Sequence, residues 1–169
     1  MTDDTPAPVS DVKLSADERV FLCVVDDSVE FGVALRFASR RAKRTGGRVA
    51  LLRVCEPAEF QHWMAVGELM REEAREEAEQ LLHRLAGTVQ KESGQLPVLY
   101  VREGGVSDEV LKLIEEEPAI SILVLGAAAG NEGPGPLVTA LTGKMIGQLR
   151  VPITVVPGNL GDSEIDKIS

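Results

Sequence analysis

The chain has 169 residues, of which 44% are hydrophobic, and this is the size of one ordinary domain with a single core. Its formal net charge of −9 opposes binding to nucleic acid and to anionic membranes, so we expect neither as a partner. No apolar run approaches the roughly 20 residues that span a bilayer, and the acidic opening MTDDTPAPVSDVK is unlike a signal peptide, which predicts a cytoplasmic protein.

The two ends of the chain differ from its middle. Residues 1–17 contain Pro6, Pro8 and several acidic side chains without hydrophobic periodicity, and this pattern predicts a flexible N-terminal arm. Residues 158–169 predict a flexible C-terminal tail in the same way. One domain is therefore expected over residues 18–157. Its cysteines, Cys23 and Cys55, lack C-x-x-C spacing and are predicted to be reduced and mostly buried.

Five apolar runs of strand length alternate with helical patterns inside this domain. They cover residues 20–25, 49–54, 96–101, 120–125 and 151–156. The first run is continuously apolar and the fourth contains only one polar residue, Ser121, which is typical of central strands that are covered on both faces. Pro97 and Pro152 lie near the starts of the third and fifth runs, and proline in a strand favours an edge position.

Helix signals separate these strands. Asp26, Asp27 and Ser28 can cap the first helix, which Gly46-Gly47 ends. Ser107 is predicted to cap the third helix, and the apolar stripe of the fourth comprises Leu141, Met145 and Leu149. Because each crossover helix returns the chain to the same end of the sheet, the alternation predicts a doubly wound α/β domain with a mostly parallel sheet.

Ligands of such domains bind beyond the carboxyl ends of the strands, where the strand order reverses. If the first and fourth strands are neighbours there, Asp26 and the loop after Leu125 face one crevice. That loop belongs to the glycine-rich stretch LGAAAGNEGPGPLVTALTGK, residues 125–144. It is not a Walker A loop, because Val138 and Met145 stand where glycine and Ser/Thr are required. Val138 also replaces the third glycine of a dinucleotide fingerprint that begins at Gly133.

The order and spacing of elements across the domain resemble the universal stress protein family. The pieces that carry the resemblance are VVDDS at 24–28, LLRV at 51–54, VREGGVSDEVL at 101–111, LVLGA at 123–127, and residues 139–156, which end in VPITVV. Only the ordered set is specific. The resemblance implies a Rossmann-like, three-layer α/β sandwich of the adenine-nucleotide-hydrolase type. Its five parallel strands would have the order 3-2-1-4-5, and the chain would dimerise through the fifth strand, from Val151 to Val156.

Some members of this family bind ATP, accompanied by Mg²⁺, through the motif G-x-x-G-x9-G-[ST]. Laid on this sequence without gaps, the motif puts Gly126 at its first glycine. Ala129 replaces the second glycine, with Gly130 one place later, and Thr139 and Ala140 replace the final pair. A methyl group at such a position blocks close approach of a phosphate. We therefore interpret the site as altered, and a simple connector between strand and helix is the alternative.

The loop retains groups that could bind an anion. Gly130, Gly133 and Gly135 could form a different turn, whose N–H groups would point at an anion together with the hydroxyls of Thr139 and Thr142. Elsewhere, Asp27 adds a negative charge that disfavours a polyphosphate unless it is paired. Arg53 and Arg102 could bind phosphate, although surface arginines more often form ordinary ion pairs.

The resemblance also implies the residues around the nucleoside. Asp26 matches an acidic residue at the end of the first strand, and its alternative role is to cap the first helix. Val54 matches a position beside adenine. Val24 and Leu125 would complete an apolar wall beside the adenine. Alternatively, Val24, Val54 and Leu125 are ordinary core residues.

A segment from Phe60 to Met70 (FQHWMAVGELM) could cover the crevice or bind a protein partner, or it could be the N-terminal part of the second helix, packed on the sheet. His62 and His83 are the only histidines and have no companion ligands in sequence, so no metal site or catalytic triad is predicted. The leading hypothesis is a dimeric stress-response module that binds ATP or another adenine nucleotide. In the alternative, it acts only through dimerisation and protein partners. No dedicated enzyme is predicted, and any turnover would be slow ATP hydrolysis.

Overall fold

The computed structural model describes residues 8–57 and 64–169. Within them, five strands form one parallel sheet in the order β3-β2-β1-β4-β5. The strands are β1 (Val20–Val24), β2 (Arg48–Cys55), β3 (Val98–Glu103), β4 (Ile120–Ala127) and β5 (Ile153–Pro157). The predicted strand order, the edge positions of β3 and β5, and the contact between β1 and β4 are all confirmed.

Helices cover both faces of the sheet. They are α1 (Val29–Thr45), α2 (Met64–Ser93), α3 (Val106–Glu116), α4 (Pro136–Thr142) and α5 (Asp162–Ile168), with a short 3₁₀ turn at Ile146–Gln148. Helices α1, α2 and α5 pack on one face, and α3 and α4 pack on the other. This arrangement is the predicted three-layer α/β fold.

The central strand β1 shows why the apolar runs are continuous. Val20, Leu22 and Val24 pack towards α3 and α4, whereas Phe21 and Cys23 pack towards α1 and α2. Successive side chains of a strand point to opposite faces, so a strand covered on both sides needs an apolar residue at every position. All five residues of β1 are buried.

Several helix ends differ from the predictions. Gly46 does end α1, in the left-handed conformation with φ 71°. However, α3 begins at Val106 after Gly105, so Ser107 lies inside the helix rather than at its cap. The predicted stripe through Met145 and Leu149 is also interrupted, since α4 ends at Thr142 and a 3₁₀ turn follows. Glycines at 143 and 147 favour this interruption because glycine is a poor helix former.

The segment before β1 packs on the sheet, whereas a flexible arm was predicted there. The Val9 N–H donates to the Leu99 carbonyl at 2.9 Å, and the Leu99 N–H donates to Ser10 Oγ at 3.1 Å. Val12 and Leu14 are partly buried against the α3 side of the core. Residues 8–14 therefore contact the outer edge of β3 at Leu99, with Val9 packed against one face of the sheet and Val12 and Leu14 against the other.

The segment after β5 also differs from the flexible tail that was predicted, because it contains α5. Ile165 is buried against α1 and β5. On the same helix, Asp166 accepts hydrogen bonds from Arg36 Nε at 3.0 Å and from Arg40 Nε at 2.9 Å. These contacts, led by the bond from Arg40, hold the pKa of Asp166 well below its usual range. A single buried apolar residue and one set of ion pairs are too weak a pattern for this helix to be predicted from the sequence.

None of the helices in the described part of the chain combines the length and the hydropathy required to cross a membrane.

Candidate functional site

A cleft opens beyond the carboxyl ends of β1 and β2, beside α3 and α4. Its volume is about 510 Å³, which lies within the roughly 300–1,000 Å³ of small-ligand pockets. The apolar wall includes Val24, Val54, Val106 and Leu137. The polar lining includes Asp26, Asp27, Arg53, Glu56 and Ser107. Polar and apolar groups share the lining about equally, so the cleft offers both apolar surface and hydrogen-bonding groups to a small ligand.

A smaller crevice continues from this cleft between β1 and β4. Its volume is about 50 Å³, and it is lined on one side by Asp26 and Glu30 and on the other by Gly126 and Pro134. β1 and β4 flank the point at which the strand order reverses. The structure thus brings the carboxylate after β1 and the start of the glycine-rich loop together, as the sequence predicted.

Asp26 organises the turn that leads into α1. Its Oδ1 accepts hydrogen bonds from the Ser28 N–H at 2.8 Å and from Ser28 Oγ at 2.5 Å. This side-chain turn takes the place of the predicted cap by Ser28, whose own side chain makes no capping bond. In the described residues, Oδ2 of Asp26 makes no hydrogen bond, so one carboxylate oxygen remains able to accept a bond from a ligand hydroxyl.

Arg53 already has partners within the protein. Its Nη1 donates to the Val25 carbonyl at 3.2 Å, and its Nη2 lies 3.6 Å from Asp27 Oδ2. Asp27 is 88% exposed at the mouth of the cleft. Arg102 points away from this site, because its buried guanidinium pairs with Glu116 on α3 at 2.7 Å. Both arginines considered for phosphate are therefore paired within the protein, Arg53 inside the cleft and Arg102 outside it.

The glycine-rich loop adopts conformations that side chains rarely adopt. Gly130, Gly133 and Gly135 have φ values of 112°, 93° and 107°, in the region that favours glycine. However, the neighbouring hydroxyls turn back into α4. Thr139 Oγ1 donates to the Gly135 carbonyl at 2.8 Å, and Thr142 Oγ1 donates to the Val138 carbonyl at 2.6 Å. This differs from the expectation that both hydroxyls point at an anion.

Gly126 has a packing role that the motif does not reveal. A Cβ at this position would lie 2.4 Å from the Glu30 carbonyl oxygen and 2.7 Å from its carbon. Such distances require the backbone to shift. Glycine at 126 therefore allows the first turn of α1 to approach β4, whether or not a phosphate binds nearby.

The structure brings some of the predicted site residues together and separates others. Val24, Asp26, Leu125 and Gly126 line the crevice, and Val24, Asp26 and Val54 line the cleft. Gly130, Thr139 and Ala140 line neither of these two cavities.

The sequence interpretation missed other lining residues, among them Glu30, Val106, Ser107 and Leu137. A usable signal was present at 106 and 107, because the loop after β3 also lies at the carboxyl end of the sheet. Glu30 and Leu137 carried no comparable signal, since their positions depend on how α1 and α4 pack.

The residues present suit one part of an adenine nucleotide better than another. The cleft with its apolar wall and the free oxygen of Asp26 fit a nucleoside. The crevice beside Gly126, at about 50 Å³, is far smaller than the cleft. Within the described ranges, no group of three or more His, Cys, Asp or Glu side chains could hold a metal ion.

The segment from Phe60 to Met70, considered as a cover or a partner-binding patch, lies partly outside the described residues. From Met64 onward its backbone belongs to α2. Leu69 and Met70, at its end, are exposed on that helix. The alternative that this segment begins the second helix is therefore correct for the backbone from Met64 onward, but the exposed Leu69 and Met70 are not packed on the sheet as that alternative expected.

Comparisons with known proteins address the fold and the family. No curated protein matches the sequence significantly. The universal stress protein UspA from Lactobacillus plantarum is 18% identical, with a TM-score of 0.65 over 82% of this chain and 97% of that chain. The hypothetical protein MJ0577 is 19% identical, with a TM-score of 0.69 over 85% and 98%. A universal stress protein in complex with cAMP is 11% identical, with a TM-score of 0.50 over 84% and 98%.

These identities are low, so the structural matches establish the fold alone. The family model described as "Universal stress protein family" matches residues 19–157, which is most of the chain and contains all five strands. The chain therefore belongs to the universal stress protein family.

Proposed function

We propose that this chain is a stress-response binding module that holds an adenine nucleotide or nucleoside in the cleft beyond β1 and β2. The observation that carries the proposal is the cleft itself, with about 510 Å³, an apolar wall and a carboxylate oxygen available for a ligand. A cavity of this kind at a reversal of strand order is the usual ligand site of a doubly wound sheet.

Each wall of the cleft suits a different part of the ligand. Adenine would pack between Val24 and Val54 on the sheet and Leu137 on α4, because a flat aromatic ring is favoured by apolar surfaces on both sides. Asp26 Oδ2 would accept hydrogen bonds from ribose hydroxyls, and the Ser28 bonds to Oδ1 hold the carboxylate in place. The cAMP complex of a protein with this fold supports a nucleotide as the ligand class.

Equilibrium dialysis with labelled adenosine and ATP tests this proposal. We expect saturable binding to the wild-type protein and a loss of about tenfold or more for Asp26→Asn, because a charge-assisted hydrogen bond is worth about 1.5–3 kcal/mol. Asp17→Asn is the matched control, since Asp17 is exposed and lies outside the cleft. Absence of binding by any adenine compound at millimolar concentration would refute the proposal.

A second candidate function is a module that acts through dimerisation and protein partners without a nucleotide. The inward-turned hydroxyls of Thr139 and Thr142 favour it, because they remove two of the groups expected to bind phosphate. The expected dimer surface is β5, an edge strand on which Val155 is 39% exposed. Pairing with a second copy would satisfy the open backbone groups of this edge.

Sedimentation of the wild type and of Val155→Lys tests the dimer. We expect a dimer at micromolar concentration for the wild type and a monomer for the variant, because a buried unpaired lysine opposes strand pairing. Ile168→Lys is the control, since Ile168 is 56% exposed but lies on α5. A wild-type monomer would contradict the dimer proposal and leave the binding proposal in place.

Two further properties belong to the proposal. The module has no dedicated catalytic activity, and turnover is limited to slow hydrolysis of bound ATP. Its location is the cytoplasm, which agrees with two cysteines that form no disulfide. Fractionation of cells and a phosphate-release assay check these two properties.

A further inference from the structure

The charges around the site are unfavourable for a polyphosphate. Asp26 and Glu30 line the crevice that adjoins the glycine-rich loop, and the described lining of that crevice contains no basic side chain. Asp26, Asp27 and Glu56 line the larger cleft, where Arg53 supplies the only positive charge of the described lining. Three carboxylates against one guanidinium leave an excess of two negative charges.

Arg53 does not offset this excess for a ligand. One of its N–H groups donates to the Val25 carbonyl, and its Nη2 lies 3.6 Å from the Asp27 carboxylate, so a phosphate would have to share the charge of Arg53 with Asp27. The side chain of Asp27 is 88% exposed, so salt screens the repulsion between its charge and a phosphate at the mouth of the cleft.

The glycine-rich loop does not compensate either. The hydroxyls of Thr139 and Thr142 donate to carbonyls of α4 and its preceding turn. The crevice beside Gly126 has a volume of about 50 Å³, far smaller than the cleft of about 510 Å³. A triphosphate placed at this end of the cleft would therefore lie outside the crevice, close to carboxylates.

We infer that the cleft discriminates against phosphate, so that it binds adenosine or another uncharged adenine nucleoside most tightly, a mononucleotide less tightly and ATP least tightly. This inference rests on the proposed function and specifies its ligand. The apolar wall and the free oxygen of Asp26 recognise the nucleoside, and the surrounding carboxylates lower the affinity with each added phosphate charge.

Isothermal titration with adenosine, AMP and ATP, each with and without Mg²⁺, tests the order of affinities. At an ionic strength of about 10 mM, we expect adenosine to bind at least about tenfold more tightly than ATP. At about 150 mM the Debye length falls from about 30 Å to about 8 Å, and the difference between the affinities for adenosine and ATP should become smaller. Adenosine has no charge, so its own affinity should change little with salt.

The variant Asp27→Asn isolates the electrostatic contribution. It removes one carboxylate and releases Arg53, so the affinity for ATP should rise at least about threefold relative to the affinity for adenosine. Asp17→Asn should leave both affinities unchanged. Thermal unfolding of both variants confirms that they are folded.

Three outcomes would overturn the inference. Equal or tighter binding of ATP, with or without Mg²⁺, would overturn the charge discrimination and leave the proposed function standing. An unchanged ratio of ATP to adenosine affinity in Asp27→Asn would do the same. Failure of every adenine compound to bind at millimolar concentration would overturn the inference and the proposed function together.

Discussion

Replacing Gly126 with alanine should destabilise the ligand-free protein. The added Cβ would lie 2.4 Å from the Glu30 carbonyl oxygen. Carbon and carbonyl oxygen rarely approach closer than about 3.3 Å even in weak hydrogen bonds, so the two backbones would have to separate by roughly 0.9 Å. Because the contact is between the backbone of β4 and the backbone of the first turn of α1, no flexible side chain can move aside to relieve it.

The size of the effect follows from two opposing contributions. Overpacking of this kind typically costs about 1–3 kcal/mol. Replacement of glycine also restricts the unfolded chain, which stabilises the folded state by about 0.4–1 kcal/mol. We expect a net loss of about 1–2 kcal/mol, which lowers Tm by about 2–8 °C for a chain of this length.

Calorimetry or urea unfolding of Gly126→Ala measures this loss. Gly32→Ala is the control, since Gly32 lies in α1 with nothing within 4 Å of an added Cβ. The same substitution in a helix interior should stabilise the protein by about 0.5–1 kcal/mol. A Gly126→Ala variant at least as stable as the wild type would refute the packing role, and Gly126 would then be explained only by ligand binding.

Three other predictions concern the packed elements. In the folded protein the pKa of Asp166 lies below its ordinary value of 3.8, so its ion pairs stabilise the wild type above that value, and this stabilisation is lost as the pH falls through the lowered pKa. Asp166→Asn should remove this pH-dependent stabilisation. Urea titrations from pH 7 to about pH 2 that give variant and wild type the same acid sensitivity would contradict this. Leu82→Ala, at a fully buried α2 position, should cost about 2–5 kcal/mol in urea unfolding, and a smaller loss would mean that α2 repacks. Burial raises the pKa of the Cys23 thiol to about 12, so a thiol reagent at mild alkaline pH should label only Cys55 until denaturant is added, and rapid native labelling of both would be inconsistent with this burial.

The strands were the part of the fold most accessible from sequence, because their determinants are local. Each residue of β1 is apolar since both faces are covered, and such a run can be recognised without knowing its neighbours. Pro97 and Pro152 marked β3 and β5 as edges because proline cannot donate to an inner ladder. The strand order itself came from the family resemblance.

The helices were less predictable where their limits depend on tertiary contacts. Helix α5 has one buried apolar anchor, Ile165, and pairs its Asp166 with arginines that lie more than 120 positions earlier in the chain. A pattern with a period of 3.6 residues cannot appear in a helix of seven residues with one anchor. The end of α4 at Thr142 could not be predicted either, because the apolar residues Met145 and Leu149 continue the helical spacing beyond it.

The candidate site was predicted in position but not in detail. Asp26 and Gly126 could be assigned to one crevice because topology alone brings the ends of β1 and β4 together. The directions of the Thr139 and Thr142 hydroxyls could not be predicted, since each can donate to its own helix or to a ligand. The partnership of Arg53 with Asp27 requires knowledge that β1 and β2 end side by side.

The strap formed by residues 8–14 limits how copies of this protein can associate. With the N–H and the carbonyl of Leu99 both occupied by Val9 and Ser10, β3 offers no free backbone there to another sheet. In the described residues, no hydrogen bond from outside the sheet covers β5 between Ile153 and Val156, so β5 is the more open edge for pairing with a second copy. A pair that joins through β5 would present at each end a β3 edge that is covered at Leu99, which opposes further growth into a fibre.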